Sequence, residues 1–321
     1  MFTYWVKTDS GAVCVEIENQ QAVCFVETAQ LKRIEKRLLH TPGVNVKPLA
    51  LSAFSGEPVN GVYFSSYRQL LAAKDEFENV GIQFLEADVR PAERYLMERF
   101  ITSVVSIAGG QAARNTPSDR FDTIRSPRLT PGTFFPQFNV ASIDIETSMD
   151  AESLYSIAVW GCGVAKVFMI CDVVPEHSGE DDLDIVYCRN GRGCLLQFLI
   201  CLDELDPDVL IGWNLVGFDL RVLESLCKTY KLDITIGRGR QKPHWREDDS
   251  SNRRYVSIAG RVALDGIELL KAANYRFDSF SLESVSRELL GQGKLLFGSD
   301  RGGDISELFV TDKVQLARYN L

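Results

Sequence analysis

Histidine is scarce in this chain, with three among 321 residues, at positions 40, 177 and 244. So thin and scattered a supply leaves little material for a His-rich metal site or a Ser-His-Asp triad. The eight cysteines (14, 24, 162, 171, 188, 194, 201, 227) form no C-x-x-C pair. Several sit inside apolar runs such as Val23-Cys24-Phe25-Val26, which reads as buried reduced thiols rather than zinc or disulfides. No apolar run reaches the roughly 18 residues of a membrane span. The start, Met1-Phe2-Thr3-Tyr4-Trp5, has neither the basic residues nor the apolar core of a signal peptide. The expectation is a cytoplasmic protein with no membrane partner. Positive charge is not in excess either: 35 Lys and Arg stand against 44 Asp and Glu, a net −9. That argues against indiscriminate binding to nucleic acid, though not against a local basic surface. Internal repeats and low-complexity segments are absent.

What remains is an ordinary globular composition, 45% apolar and 25% charged, long enough for two domains. Thr3–Lys7, Ala12–Ile17 and Ala22–Glu27 read as a three-stranded meander, and Thr28 as the N-cap of a helix from Ala29 to about Leu39. Val46–Ala53, Gly61–Ser65 and Ile82–Glu86 read as strands. Tyr67–Asn79 reads as a helix, and Pro91 opens another through Ile101. Residues 109–137 carry Gly109, Gly110, Pro117, Pro127, Pro131, Gly132 and Pro136, the composition of a crossover between domains. Strands are expected over Phe138–Glu146, Ile157–Cys162, Lys166–Cys171, Val209–Trp213 and Val262–Asp265. Helices are expected over Gly191–Leu205, Leu220–Tyr230, Gly266–Ala273 and, capped by Ser281 and Gly291, about nine residues between them. The pattern is α/β, an α+β chain overall.

Two strands end in acids. Asp144 and Glu146 are two apart in Ser142-Ile143-Asp144-Ile145-Glu146-Thr147, so they share a face, roughly 6–7 Å apart along the strand. Their apolar flanks imply a buried strand, and acids at its end need a reason. Asp219 follows Gly212-Trp213-Asn214-Leu215-Val216-Gly217-Phe218, at a strand-to-helix turn. It is either a third member of the cluster or a plain helix cap. Asn214 and Phe218 offer an amide and a stacking ring to a nucleotide, or Trp213 and Phe218 are core. Three converging carboxylates repel one another unless divalent cations neutralise them, which points to metal-assisted phosphoryl chemistry. Between Arg238 and Arg261 lie six arginines and one lysine against three acids, with Trp245 and Tyr255 among them. That segment is expected as an exposed hairpin or loop. It is either a solvated surface or a phosphate-tracking one in which Arg238, Arg240, Arg253 and Arg254 contact DNA.

Asp144-Ile145-Glu146-Thr147 resembles the first exonuclease motif of the family B DNA polymerases, and Asn214-x₃-Phe218-Asp219 their second. Arg318-Tyr319-Asn320-Leu321 resembles the opening of the third, Tyr-x₃-Asp, whose aspartate would fall two residues past Leu321. Glu86 to Phe100, Asp265 to Lys271 and Ser281 to Gly291 are similar to the family as well, so the resemblance covers essentially the whole chain. It implies an N-terminal mixed β/α domain with its crossover over 1–137. A ribonuclease H-like 3′→5′ exonuclease domain would follow over 138–321, truncated before its third motif is complete. It implies Asp144, Glu146 and Asp219 as ligands of two Mg²⁺ or Mn²⁺ ions, Tyr319 as the orienter of the attacking water, and Thr147, Asn214 and Phe218 as contacts to a frayed or single-stranded primer 3′ end. Polymerase domains of a longer chain are the implied partners, since no palm motif is present, and this segment alone is expected to be a poor nuclease. Two alternatives stay open: a non-catalytic DNA-binding scaffold, and an unrelated metal-dependent nuclease or phosphatase.

Overall fold

A computed structural model describes residues 1–113, 120–172, 183–248, 253–293 and 301–321. Pro117 and His177 lie outside these. The chain divides into two compact units, one of residues 1–4, 13–115 and 122–135, the other of 5–12, 116–121 and 136–321.

The first unit carries the start of β1 (Phe2–Thr8) and the elements that follow it as far as β9. Its elements are β2 (Gly11–Ile17), β3 (Ala22–Glu27), α1 (Thr28–Leu39), β4 (Asn45–Ser52), β5 (Pro58–Phe64), α2 (Tyr67–Glu78), α3 (Pro91–Met97), β6 (Val105–Ala108), β7 (Gln111–Ala113), β8 (Asp122–Arg125) and β9 (Arg128–Pro131). The meander expected of the first three strands does not form. β2 pairs in parallel with β8, whereas β3 joins an antiparallel sheet in the order β3-β5-β4. The reason is packing: Cys24 and Val26 of β3 close a core with Val62 and Phe64 of β5 and with Leu31, Leu38, Leu70 and Phe77 of the two helices.

Thr28 is the first residue of α1 rather than its cap. Its hydroxyl donates to the Pro58 carbonyl (3.0 Å) and accepts from Asn60 (2.9 Å). Over Ile82–Glu86 the only ladder contact is a single bridge between Phe25 and Leu85. The Pro- and Gly-rich stretch 109–137 is not pure connection, since β7, β8 and β9 lie in it.

The second unit contains β10 (Val140–Thr147), β11 (Leu154–Gly161), β12 (Val164–Ile170), β13 (Asp184–Cys188), α4 (Gly191–Leu205), β14 (Val209–Gly212), α5 (Asp219–Thr229), β15 (His244–Asp248), β16 (Arg253–Ser257), β17 (Val262–Asp265), α6 (Gly266–Ala272), α7 (Leu282–Leu290), α8 (Arg301–Thr311) and α9 (Lys313–Asn320). Its six-stranded sheet runs β13-β12-β11-β10-β14-β17. β11 is antiparallel to both its neighbours and the remaining pairs are parallel. This is the order of a ribonuclease H-like sheet with one extra edge strand.

Alternation sorts the sheet's side chains. Ile143, Ile145, Ile157 and Val159 enter a core with Leu195, Phe198, Leu220 and Leu223 of α4 and α5. Ala158, Val167 and Met169 face the other way, against Leu316 and Ala317 of α9. Asp144 and Glu146 share that second face by the same period of two. The described residues contain no helix long and apolar enough to cross a membrane.

Candidate active site

β14 ends at Gly212, paired beside β10 only as far as Ser142 opposite Ile211. β10 therefore projects past its neighbour, and the Ile145 N–H is left on an open edge. Asp219 enters there, accepting from the Ile145 N–H at 3.2 Å. The helix-cap alternative fails: Phe218 is the N-cap of α5 and makes no side-chain cap bond. The Asp219 side chain is nearly inaccessible, at 2% exposure. Burial, followed by the negative charge of Asp144, pushes its carboxyl up to about 8. The bonds from its own N–H and from Ile145 oppose the rise, and Asp265 adds to it.

Asp144 and Glu146 line a cleft of about 590 Å³ with Trp213, Gly266, Leu282, Arg318, Tyr319 and Asn320 among its walls. Gly212 shapes one wall, because a Cβ there would stand 2.8 Å from the Ile143 carbonyl. Tyr319 reaches the cleft from the last turn of α9, which is seated by Leu316 and Ala317. Thr147 is half-buried at the end of β10, its hydroxyl donating to the Ser148 carbonyl (3.0 Å). Asn214 takes a left-handed backbone (φ 60°) and its carbonyl accepts from the Phe218 N–H, closing a turn that leaves the Phe218 ring 39% exposed.

Two neighbours lay outside the candidate set. Asp265 caps α6, its oxygens accepting from the N–H groups of Val216 and Ile267 (both 3.0 Å). Its place just ahead of a helix was the sequence signal for that cap, not for its nearness to Asp219. Asn320 donates to Asp144 (2.9 Å), a contact across 176 positions that no local pattern carries.

Arg238 corrects the reading of the basic segment. Its side chain is 5% exposed. It donates to Asp206 (2.8 Å), Asp208 (2.7 Å) and the Gly260 carbonyl. Arg261 is equally buried, donating to Asp206 (3.1 Å) and to the carbonyls of Pro207 and Ile236. The buried Asp208 and half-buried Asp206 at the α4–β14 junction hold these partners, so Arg238 is withdrawn from the DNA-contacting set. The hairpin between them is real, β15 against β16 in antiparallel register. Arg240 and Arg254 are exposed, the latter beside Glu247 at 3.4 Å, while the Arg253 side chain lies outside the described residues.

Among the described residues, no group of three or more His, Cys, Asp or Glu side chains is arranged as a metal cage. Asp219 and Asp265 both accept from backbone N–H groups. The donor chemistry nonetheless fits a hard divalent cation: carboxylate oxygens only, with Asp219 pushed up by burial and by the charges of Asp144 and Asp265.

Residues 82–285 match the family model for the exonuclease domain of DNA polymerase family B. The chain belongs to DNA polymerase family B. Residues 22–82 match the insertion domain of DNA polymerase II. The chain is 39% identical to DNA polymerase II of Escherichia coli (strain K12), with 99% of this chain and 40% of that protein aligned. It is 28% identical to the DNA-directed DNA polymerase of Enterobacteria phage T4 over 53% of this chain and 19% of that one. The family B DNA polymerase of Pyrobaculum calidifontis has the same fold, with a TM-score of 0.71 at 16% identity over 99% of this chain and 43% of that structure. The chain thus spans about 40% of the length of the first of these relatives. Membership of family B implies divalent metal use in general terms.

Proposed function

We propose that this chain supplies the 3′→5′ exonuclease site of a proofreading DNA polymerase. In this reading residues 138–321 form the exonuclease domain and 1–137 the N-terminal domain with its crossover. The observation that supports it is a pair of contacts: Asp144 and Glu146 line one cleft, and the Asp219 carboxylate, held by the Ile145 N–H, lies within reach of the Asp144 charge.

Asp144, Glu146 and Asp219 would hold two Mg²⁺ or Mn²⁺ ions. When bound, such ions neutralise phosphate charge and lower the pKa of water, which is the chemistry phosphodiester hydrolysis needs. The chain's own residues do the rest. The cleft, walled by Trp213, Leu282 and Tyr319, would receive the unpaired 3′ terminus. Tyr319, which lines the same cleft, would orient the attacking water through its hydroxyl. The half-exposed Phe218 ring would offer a stacking face to a terminal base, and Thr147 and Asn214 would add polar contacts. The exposed Arg240 and Arg254, with Arg253, offer phosphate contacts farther along the strand. The intact protein, with its polymerase domains, would remove misinserted nucleotides in the cytoplasm.

The experiment is the polarity and metal dependence of DNA degradation by the full-length protein. A 5′-labelled single strand with Mg²⁺ should yield a ladder shortening from the 3′ end, and EDTA should abolish it. Degradation from the 5′ end, or a ladder untouched by EDTA, would contradict the reading.

A further inference from the structure

The face of the sheet that carries Asp144 and Glu146 has a second, quieter pair of residues. Ser156 of β11 lies directly opposite Glu146, and Ala158 directly opposite Asp144. Cross-strand partners point the same way, so these four side chains make one patch. The small Ala158 packs with Leu316 and Ala317 and lets α9 lie close over the sheet. That approach brings Asn320 down onto the diagonal between Ser156 and Asp144. Its Nδ2 donates to Asp144 Oδ2 at 2.9 Å, and its Oδ1 accepts from Ser156 Oγ at 2.7 Å. Asn320 is 5% exposed and Ser156 fully buried.

We infer that Asn320 is a positioning residue for the Asp144 carboxylate, with Ser156 as the anchor that fixes the Asn320 amide. The inference rests on the metal-dependent reading of the site. Buried polar side chains are held by the partners they have, and here each partner constrains the next. The reverse amide orientation would set Oδ1 against the Asp144 oxygen, two acceptors facing each other. The Ser156 hydroxyl, donating to Oδ1, favours the productive orientation again. Nδ2 then pins one Asp144 oxygen, which limits the rotation of the carboxylate about its last torsion. A ligating carboxylate whose rotation is limited in this way binds a cation with less to lose in ordering, and removal of such outer partners typically costs about 10–100-fold in metal affinity or activity. Neither residue is one that a search for acids would find, because neither is an acid or a ligand.

The test is Mn²⁺ binding to the full-length protein, read from the electron paramagnetic resonance signal of the free ion. Asn320→Ala should weaken binding about 10-fold or more, and Ser156→Ala should weaken it in the same direction by less. The double variant should be no worse than Asn320→Ala alone, since the two act in series. Asn320→Asp, which replaces the donor by a second carboxylate, should not restore binding to the wild-type level. A role confined to seating α9 predicts otherwise: a lower melting temperature with unchanged Mn²⁺ affinity, and that result would overturn the inference. If Asn320→Ala does not fold, Ser156→Ala decides alone, with unchanged affinity counting against. Wild-type protein whose Mn²⁺ binding is indifferent to Asp144→Ala would instead strike at the metal-dependent reading itself, and the inference would fall with it.

Discussion

Ionising Asp219 inside this fold carries a cost that its two backbone donors offset only in part, since its carboxyl is held at about 8. Below about pH 4 the group is protonated in folded and unfolded chains alike. From there to about pH 8 the unfolded chain releases its proton while the folded one keeps it, so metal-free stability falls as pH rises. The limit is about 1.4 kcal/mol per pH unit. Thermal melts in EDTA should record this decline. Asp219→Asn, which keeps an oxygen for the Ile145 N–H, should flatten it and raise the melting temperature near pH 8. An unchanged profile in the variant would mean that Asp219 ionises freely in the fold.

Arg238 and Arg254 make the opposite pair. Arg238→Ala leaves Asp208 with Lys7 and Asn139 and Asp206 with Arg261, so it should cost about 1–3 kcal/mol in denaturant unfolding, the value of the hydrogen bonds lost. Arg254→Ala should stay within about 0.5 kcal/mol, yet reduce the salt slope of single-strand binding by about one. A sequence gives the positions of charges but not their partners. Asp144 and Glu146 were legible because apolar neighbours on both sides made their strand a buried one. Arg238 was misread because its carboxylates lie some thirty positions earlier and nothing local announces them.

At the scale of elements, β10 is fixed at both ends. At its start the Asn139 N–H donates to Asp208 (2.8 Å), which also accepts from Lys7 (2.8 Å) and Arg238. Burial alone would raise the Asp208 carboxyl, but donors from Lys7, Arg238 and Asn139 outweigh it and hold it below its ordinary range. A depressed carboxyl contributes stability above about pH 4 that is lost as pH falls through its folded value. Acid unfolding should therefore begin at higher pH in Lys7→Ala than in the wild type. At the other end, Gly212→Ala would force β14 away from the Ile143 carbonyl, at a cost of about 1–3 kcal/mol, and should lower nuclease activity more than Gly193→Ala, where a Cβ makes only an ordinary 3.5 Å contact.

β10, β14, β17, α4 and α7 were legible because periodicity and caps lie within each element. The destination of β3 and the strands within 109–137 were not. Sheet partnership there depends on Cys24, Val26, Val62 and Phe64 meeting across distant segments, and on turn residues that serve short strands as readily as linkers.

For the whole molecule, the two units differ in what sequence reasoning could reach. In the second unit the strands whose ends carry acids, and the family motifs they form, were legible, whereas their order in the sheet comes from the pairing. The first unit has no such chemistry to orient the reading, and its compact β3-β5-β4 sheet emerges only from packing. The central claim is that Asp144, Glu146 and Asp219 act as one hydrolytic unit. Residues acting as a unit are strongly non-additive when removed. The decisive measurement is the rate at which full-length protein releases mononucleotide from a 3′-labelled single strand with Mg²⁺, compared with Asp144→Ala, Asp219→Asn and the double variant. Each single variant should lose at least about 10²-fold, in line with the several kcal/mol of transition-state stabilisation such a site supplies. The double variant should lose little more. Near-wild-type release by either single variant, or losses that simply multiply, would contradict the account.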